Sequence, residues 1–131
     1  NHLFNDTVST LDYLNTVGLN LFVSSSATPE DVVASAKRLG IYDKFVNVLG
    51  SVNGFGKGPE HISYILNKYN LNSENVVMVG DERADVMLAK MANVYSVAKR
   101  GSLKETDLVE LNPDLIISSL SELSKLVKTE S

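Results

Sequence analysis

The chain has 131 residues, enough for one domain with a modest core, and its hydrophobic content of 44% is ordinary for a globular protein. Its net charge of −4, from 12 basic and 16 acidic side chains, offers no basic surface for nucleic acid. The absence of cysteine excludes disulfides and a cysteine nucleophile, and it fits a reducing, cytoplasmic compartment. No apolar run approaches the roughly 18 residues that a membrane span needs, so no membrane partner is expected.

The predicted elements alternate between helices and strands, which is typical of an α/β fold with a mostly parallel sheet. In chain order they are helix 7–17, strand 19–24, helix 29–40, strand 45–49, helix 59–69, strand 76–79, the helix after it, strand 94–97, strand 115–117 and a last helix to about 128. Thr28 and Pro29 form a capped helix start, Pro59 begins another helix, and Gly18 ends the first one.

The most informative stretch joins an apolar run, Val76–Val79, to Gly80 and Asp81, with a second acid, Asp85, four residues later. A short apolar run before a turn signal predicts a strand buried on both faces, and Gly80 lets the backbone turn sharply. Asp81 then lies at the carboxyl end of a parallel strand, where open α/β sheets place their ligand sites. The two carboxylates can face one spot and suit a hard cation such as Mg²⁺. The simpler alternative is a capping aspartate and a solvent-facing one.

Two other segments carry groups that suit an anion. Ser24–Ser26 follow a predicted strand and precede a helix, so their hydroxyls, backbone N–H groups and the helix dipole can form an anion site. The alternative is a serine turn with a helix cap. Lys57, between Gly56 and Gly58, precedes the helix that begins at Pro59, where a cation opposes the helix dipole unless an anion lies nearby. The alternative is a solvated loop lysine.

Taken in order, Ser25, Lys57 and the pattern Gly80-Asp81-x-x-x-Asp85 resemble the second, third and fourth motifs of the haloacid dehalogenase superfamily. The tail over 112–123 is similar to the closing strand and helix of phosphoglycolate-phosphatase-like members. The resemblance implies a doubly wound, Rossmann-like parallel sheet. It also implies magnesium-dependent hydrolysis of a small phosphorylated metabolite, a phosphomonoester, through an aspartyl-phosphate.

The resemblance further implies a role for each matched residue. Asp81 and Asp85 bind the Mg²⁺, and Asp85 alternatively orients Lys57. Lys57 is catalytic, because it offsets negative charge on the nucleophile and the phosphate. Ser25 hydrogen-bonds a phosphoryl oxygen, and Ser24 is its substitute if the strand ends one residue earlier. Positioning and charge compensation of this kind are what phosphoryl transfer mainly requires.

The first motif of the family, a strand followed by Asp-x-Asp-x-Thr, is missing from the sequence. Its first aspartate is the nucleophile in the family. Asp6, followed by Thr7, is preceded by too few residues for a central strand. The cap domain is missing as well. We therefore expect 1–131 to be a single core domain, a C-terminal fragment of a longer protein and inactive alone. We expect the sheet to be completed by more N-terminal sequence, by rearrangement, or by a homo-oligomer such as a strand-swapped dimer.

Two other functions stay open at this point. A 2-haloacid dehalogenase of the same superfamily attacks carbon and needs no magnesium, so the acid pair favours the phosphatase. A catalytically dead relative that serves as a binding module also fits, because the nucleophile is absent from the sequence. A response-regulator receiver fits poorly, since its acidic pocket comes early and its lysine late.

Overall fold

The computed structural model describes residues 5–125. The helices and strands are α1 (Asn5–Thr16), β1 (Phe22–Ser24), α2 (Pro29–Arg38), β2 (Asn47–Leu49), α3 (Pro59–Tyr69), β3 (Val77–Gly80), α4 (Arg83–Met91), β4 (Tyr95–Lys99), α5 (Glu105–Leu111) and β5 (Leu115–Ile117). All pairings between these strands are parallel, so the predicted α/β class with a parallel sheet is confirmed. No helix in the described part is long and apolar enough to cross a membrane.

The chain divides into two compact units. One comprises the residues up to Gly56 together with those from Leu120 onward, and the other comprises Lys57–Ser119. The first contains a two-stranded sheet, in which β1 pairs with β2 and Val23 lies opposite Val48. The second contains a three-stranded sheet in the order β3-β4-β5.

In the first unit, local signals set the start of α2. Thr28 precedes the helix in an extended conformation, and its hydroxyl accepts a hydrogen bond from the N–H of Asp31 at 3.2 Å. Pro29 then occupies the first helical position, where its missing N–H costs nothing. The helix thus begins where the sequence predicts. α1 is anchored by Leu11 and Leu14, which are buried.

In the second unit, α4 covers one face of the sheet. Its Val86 packs with Ala98 of β4, and its Ala89 packs beside Met78 of β3. Val86 and Ala89 are essentially inaccessible to solvent. This packing holds the first turn of α4 firmly against the carboxyl ends of the strands.

The prediction that the Val76–Val79 strand is buried on both faces is wrong. Val77 is 46% exposed and Val79 is 37% exposed. β3 hydrogen-bonds to β4 alone among the described strands, so it lies at an edge of its sheet. β1 pairs with β2. In the described part of the chain β3 therefore has one edge that no strand covers, and completion of the sheet stays a prediction.

Two elements differ from the sequence-based assignment near the C-terminus. α5, a seven-residue helix whose Leu108 is buried, was not predicted. The predicted last helix begins instead as a 3₁₀ turn over Leu120–Leu123, and its continuation beyond 125 lies outside the described residues.

The N-terminus of α5 gives a pH prediction. The Asp107 carboxylate accepts a hydrogen bond from the N–H of Lys104 and another from the Arg83 guanidinium at 2.5 Å. Both hydrogen bonds lower the pKa of Asp107, and the one from Lys104 has the larger effect. A lowered pKa in the folded state adds stability that is fully present above the ordinary aspartate pKa and is lost as pH falls through the lowered value. We expect urea midpoints of the parent chain and Asp107→Asn to differ at neutral pH and to converge in acid. An Asp107 carboxyl signal that titrates at the ordinary pKa would contradict this.

Candidate active site

The site begins at the turn between β3 and α4, where Asp85 organises the main chain. Its Oδ2 accepts hydrogen bonds from the N–H groups of Asp81 and Glu82, both at 3.1 Å. These N–H groups belong to the turn that leads into α4, where a helix lacks internal acceptors. Asp85 is therefore a structural acceptor for the turn at the carboxyl end of β3.

The other oxygen of Asp85 meets Lys57. Lys57 Nζ lies 2.5 Å from Asp85 Oδ1, and the two side chains are 24% and 6% exposed. The ion pair brings together residues that are far apart in sequence and supplies the anion that a lysine before α3 was expected to need. Protein groups thus contact both oxygens of Asp85. The two roles considered for Asp85, orientation of Lys57 and direct ligation of a metal, stay predictions.

Two glycines allow these groups to approach. A Cβ at Gly80 would overlap the Asp85 side chain, so only glycine fits at this position of the Gly-Asp pattern without a shift of the main chain or of Asp85. Gly58 has a positive φ of 97°, and a Cβ there would lie 2.8 Å from Leu88 Cβ of α4. The loop that carries Lys57 therefore packs closely on α4, and α4 determines the position of the lysine and the acids alike.

Asp81 lies just past the end of β3 and is exposed. Within the described residues its carboxylate takes part in no hydrogen bond or ion pair, so its oxygens are available to a ligand. No group of three or more His, Cys, Asp or Glu side chains in the described part could hold a metal. Mg²⁺ nevertheless commonly uses one or two carboxylates, with water and phosphate oxygens completing its shell. The oxygen donor of Asp81 fits that cation.

Ser25 lies in the other unit, directly after β1, whereas Ser24 is the last residue of that strand. The N–H of Ser25 donates to the carbonyl of Leu49 at 3.0 Å, and its Oγ accepts from the N–H of Ala27 at 3.1 Å. The hydroxyl thus keeps its own proton for another acceptor. Phosphate binding by Ser25 or Ser24 stays a prediction.

The loop after β4 makes a contact to Asp81 that was not predicted from the sequence. Ser102 Oγ donates to the carbonyl oxygen of Asp81 at 2.9 Å, and Gly101 lies beside the Asp81 carboxylate. A sequence signal for this contact was available, because a glycine and a serine follow closely after a strand. They therefore lie at the same edge of a parallel sheet as Asp81.

The second unit thus combines parallel strands with a lysine–aspartate pair and an exposed acid at the carboxyl end of β3. Residues 1–99 match the family model of the haloacid dehalogenase-like hydrolases, and the chain belongs to that family.

Known relatives and solved structures agree with this assignment. The chain is 27% identical over 130 residues to the phosphoglycolate phosphatase of Vibrio parahaemolyticus and covers 96% of itself and 57% of that protein. It is 27% identical over 127 residues to the pyrophosphatase PpaX of Oceanobacillus iheyensis, covering 95% of itself and 59% of that protein. A haloacid dehalogenase-like hydrolase structure from Streptococcus pneumoniae shares the fold, with a TM-score of 0.86, 22% identity, and coverage of 96% of this chain and 60% of the other. The chain thus spans somewhat over half the length of these proteins.

Proposed function

We propose that the complete protein hydrolyses a small phosphomonoester with Mg²⁺, through an aspartyl-phosphate formed on a nucleophile outside residues 1–131. The observation that carries this proposal is the Asp85 carboxylate, which joins Lys57 at 2.5 Å to the N–H groups of Asp81 and Glu82. It places a cation and an exposed acid together at the end of a parallel strand, where ligands of such folds bind.

Each residue has a separate task in this proposal. Asp81 would hold the Mg²⁺, which would supply positive charge to offset the phosphoryl oxygens. Asp85 holds Lys57 and the Asp81 turn in place, in addition to any ligation of its own. Lys57 offsets the charge of the nucleophile and the phosphate, and Ser25 donates a hydrogen bond to a phosphoryl oxygen. Fixed charges of this kind lower the barrier because they need no rearrangement during the reaction.

The substrate, the compartment and the assembly belong to the same proposal. The names of the relatives, phosphoglycolate phosphatase and pyrophosphatase, support a small phosphorylated substrate. The absence of cysteine supports a cytoplasmic location. The position of β3 at an edge of its sheet, among the described strands, supports completion of the sheet by the rest of the protein or by a strand-swapped second copy. Residues 1–131 alone lack the nucleophile and are expected to be inactive.

The test is turnover by the complete protein of phosphoglycolate, pyrophosphate and p-nitrophenyl phosphate, with and without Mg²⁺. Asp81→Asn keeps the shape of the side chain but removes its charge, so we expect kcat to fall by about 100-fold or more. Asp43→Asn, at an exposed acid in the other unit, is the matched control and should retain the activity of the parent.

The same assays separate the alternatives. Unchanged turnover in Asp81→Asn would remove Asp81 from the site. Halide release from a 2-haloacid without Mg²⁺ would show that the protein is a dehalogenase and not a phosphatase. Absence of turnover with every substrate would favour a catalytically dead binding module.

A further inference from the structure

Side chains hold the main chain of Asp81 from both sides. Its N–H donates to Asp85 Oδ2 at 3.1 Å, and its carbonyl accepts from Ser102 Oγ at 2.9 Å. β3 ends at Gly80, so Asp81 lies beyond the regular pairing of that strand with β4. The orientation of Asp81 is therefore set by Asp85 and Ser102 together.

Ser102 can perform this task because its loop is anchored at both ends. Before it, the N–H of Arg100 donates to the carbonyl of Ile117 at 2.8 Å, which extends the pairing of β4 with β5. After it, Leu103 is buried in the cluster that contains Val86 of α4. A loop held between a sheet and a core has few conformations to lose when it positions a neighbour.

Gly101, which has no side chain, lies beside the same carboxylate. A Cβ at this position would lie 3.5 Å from Asp81 Oδ2 and 3.4 Å from Asp81 Cβ. The loop therefore contacts the main chain of Asp81 through Ser102 and lies against its side chain through Gly101. Both contacts leave the carboxylate exposed.

We propose that Ser102 is a positioning residue that aims the Asp81 carboxylate at the metal by holding the Asp81 carbonyl. This inference rests on the proposed function, because it takes Asp81 as the metal ligand. In this role Ser102 acts through the main chain of Asp81. Groups that orient a metal ligand in this way typically contribute 10- to 100-fold to affinity or activity.

The test measures Mn²⁺ binding to the complete protein by electron paramagnetic resonance, together with kcat, KM and the urea midpoint. Ser102→Ala is expected to weaken Mn²⁺ binding about 10-fold, with the urea midpoint and the KM of the substrate at saturating metal unchanged. Ser102→Thr keeps the hydroxyl and is expected to bind within about twofold of the parent. Ser63→Ala, at an exposed serine of α3, is the matched control and should bind Mn²⁺ as the parent does.

Asp81→Asn separates the two proposals. If Asp81→Asn abolishes Mn²⁺ binding while Ser102→Ala binds as the parent does, the positioning role is wrong and the proposed function stands. If Ser102→Thr binds as weakly as Ser102→Ala, the hydroxyl is not the group that acts, and the inference is again wrong. If Asp81→Asn binds Mn²⁺ as tightly as the parent, the metal role of Asp81 fails, and the inference fails with it.

Discussion

Asp85→Ala is expected to lower the free energy of unfolding by about 2–4 kcal/mol and to abolish activity in the complete protein. The substitution removes the ion pair of Lys57 with Asp85 and the carboxylate acceptor of the N–H groups of Asp81 and Glu82. Lys57 is partly exposed, so water offsets some of the loss and keeps the cost below that of a fully buried pair. Urea unfolding monitored by circular dichroism measures the change.

A second lysine–aspartate pair provides the control for this prediction. Lys44 Nζ lies 2.6 Å from Asp12 Oδ1, but the Asp12 side chain is 58% exposed. Asp12→Ala should cost at most about 1 kcal/mol, as exposed ion pairs do. Asp85→Asn keeps one acceptor for the turn and should cost less than Asp85→Ala. Equal costs for Asp12→Ala and Asp85→Ala would show that burial of the Lys57–Asp85 pair does not matter.

Gly80→Ala is the second change with a large expected effect. The added methyl group would overlap the Asp85 side chain, so the turn or α4 must shift. Forced shifts of this size cost about 1–3 kcal/mol. Because Asp85 also holds Lys57, we expect turnover by the complete protein to fall at least 10-fold even where the variant is fully folded. Thermal unfolding and steady-state kinetics measure the two effects.

Gly101→Ala is the control for stability in this comparison. Its added methyl group would meet Asp81 atoms at 3.4 Å or more, which is ordinary contact, and its φ is not positive. We expect its midpoint of thermal unfolding to stay near that of the parent. If Gly80→Ala is as stable as Gly101→Ala, the close approach of Gly80 to Asp85 is not a constraint on the fold.

The parts of the fold that were predicted correctly depend on neighbours in sequence. Thr28 with Pro29, and Pro59, fix the starts of α2 and α3 at the predicted residues, because a cap and a proline act within one turn. The strand ends were less accurate, since the first strand was predicted from 19 but begins at Phe22. Strand length depends on the partner strand, which the local sequence does not contain.

The parts that were missed depend on contacts between distant residues. α5 has no capping side chain at Lys104, and instead Asp107, inside the helix, accepts the Lys104 N–H. Val77 and Val79 belong to an apolar run, but they lie on the face of β3 opposite Met78, and it is Met78 that packs beside Ala89 of α4.

The contacts of the candidate site were predicted only in part, because they join residues that are distant in sequence. The order of Lys57, Asp81 and Asp85 along the chain suggested one site and left two roles open for Asp85, ligation of the metal or orientation of Lys57. The hydrogen bonds from the N–H groups of Asp81 and Glu82 to Asp85 were not predicted. Gly80 was predicted to allow a sharp turn. The structure shows another reason for a glycine at this position, because a Cβ would overlap the Asp85 side chain.

The close packing of Gly58 and Gly80 on α4 has a consequence for protein engineering. One contiguous stretch of the chain, which ends with α4, contains Lys57, Gly58, Gly80 and Asp85. Gly58 and Gly80 have no room for a side chain because of residues on that helix. A transplant of the charged pair into another parallel scaffold must therefore carry the loop, the strand end and the helix as one cassette. Grafting the lysine and the aspartate alone would lose the spacing that brings them together.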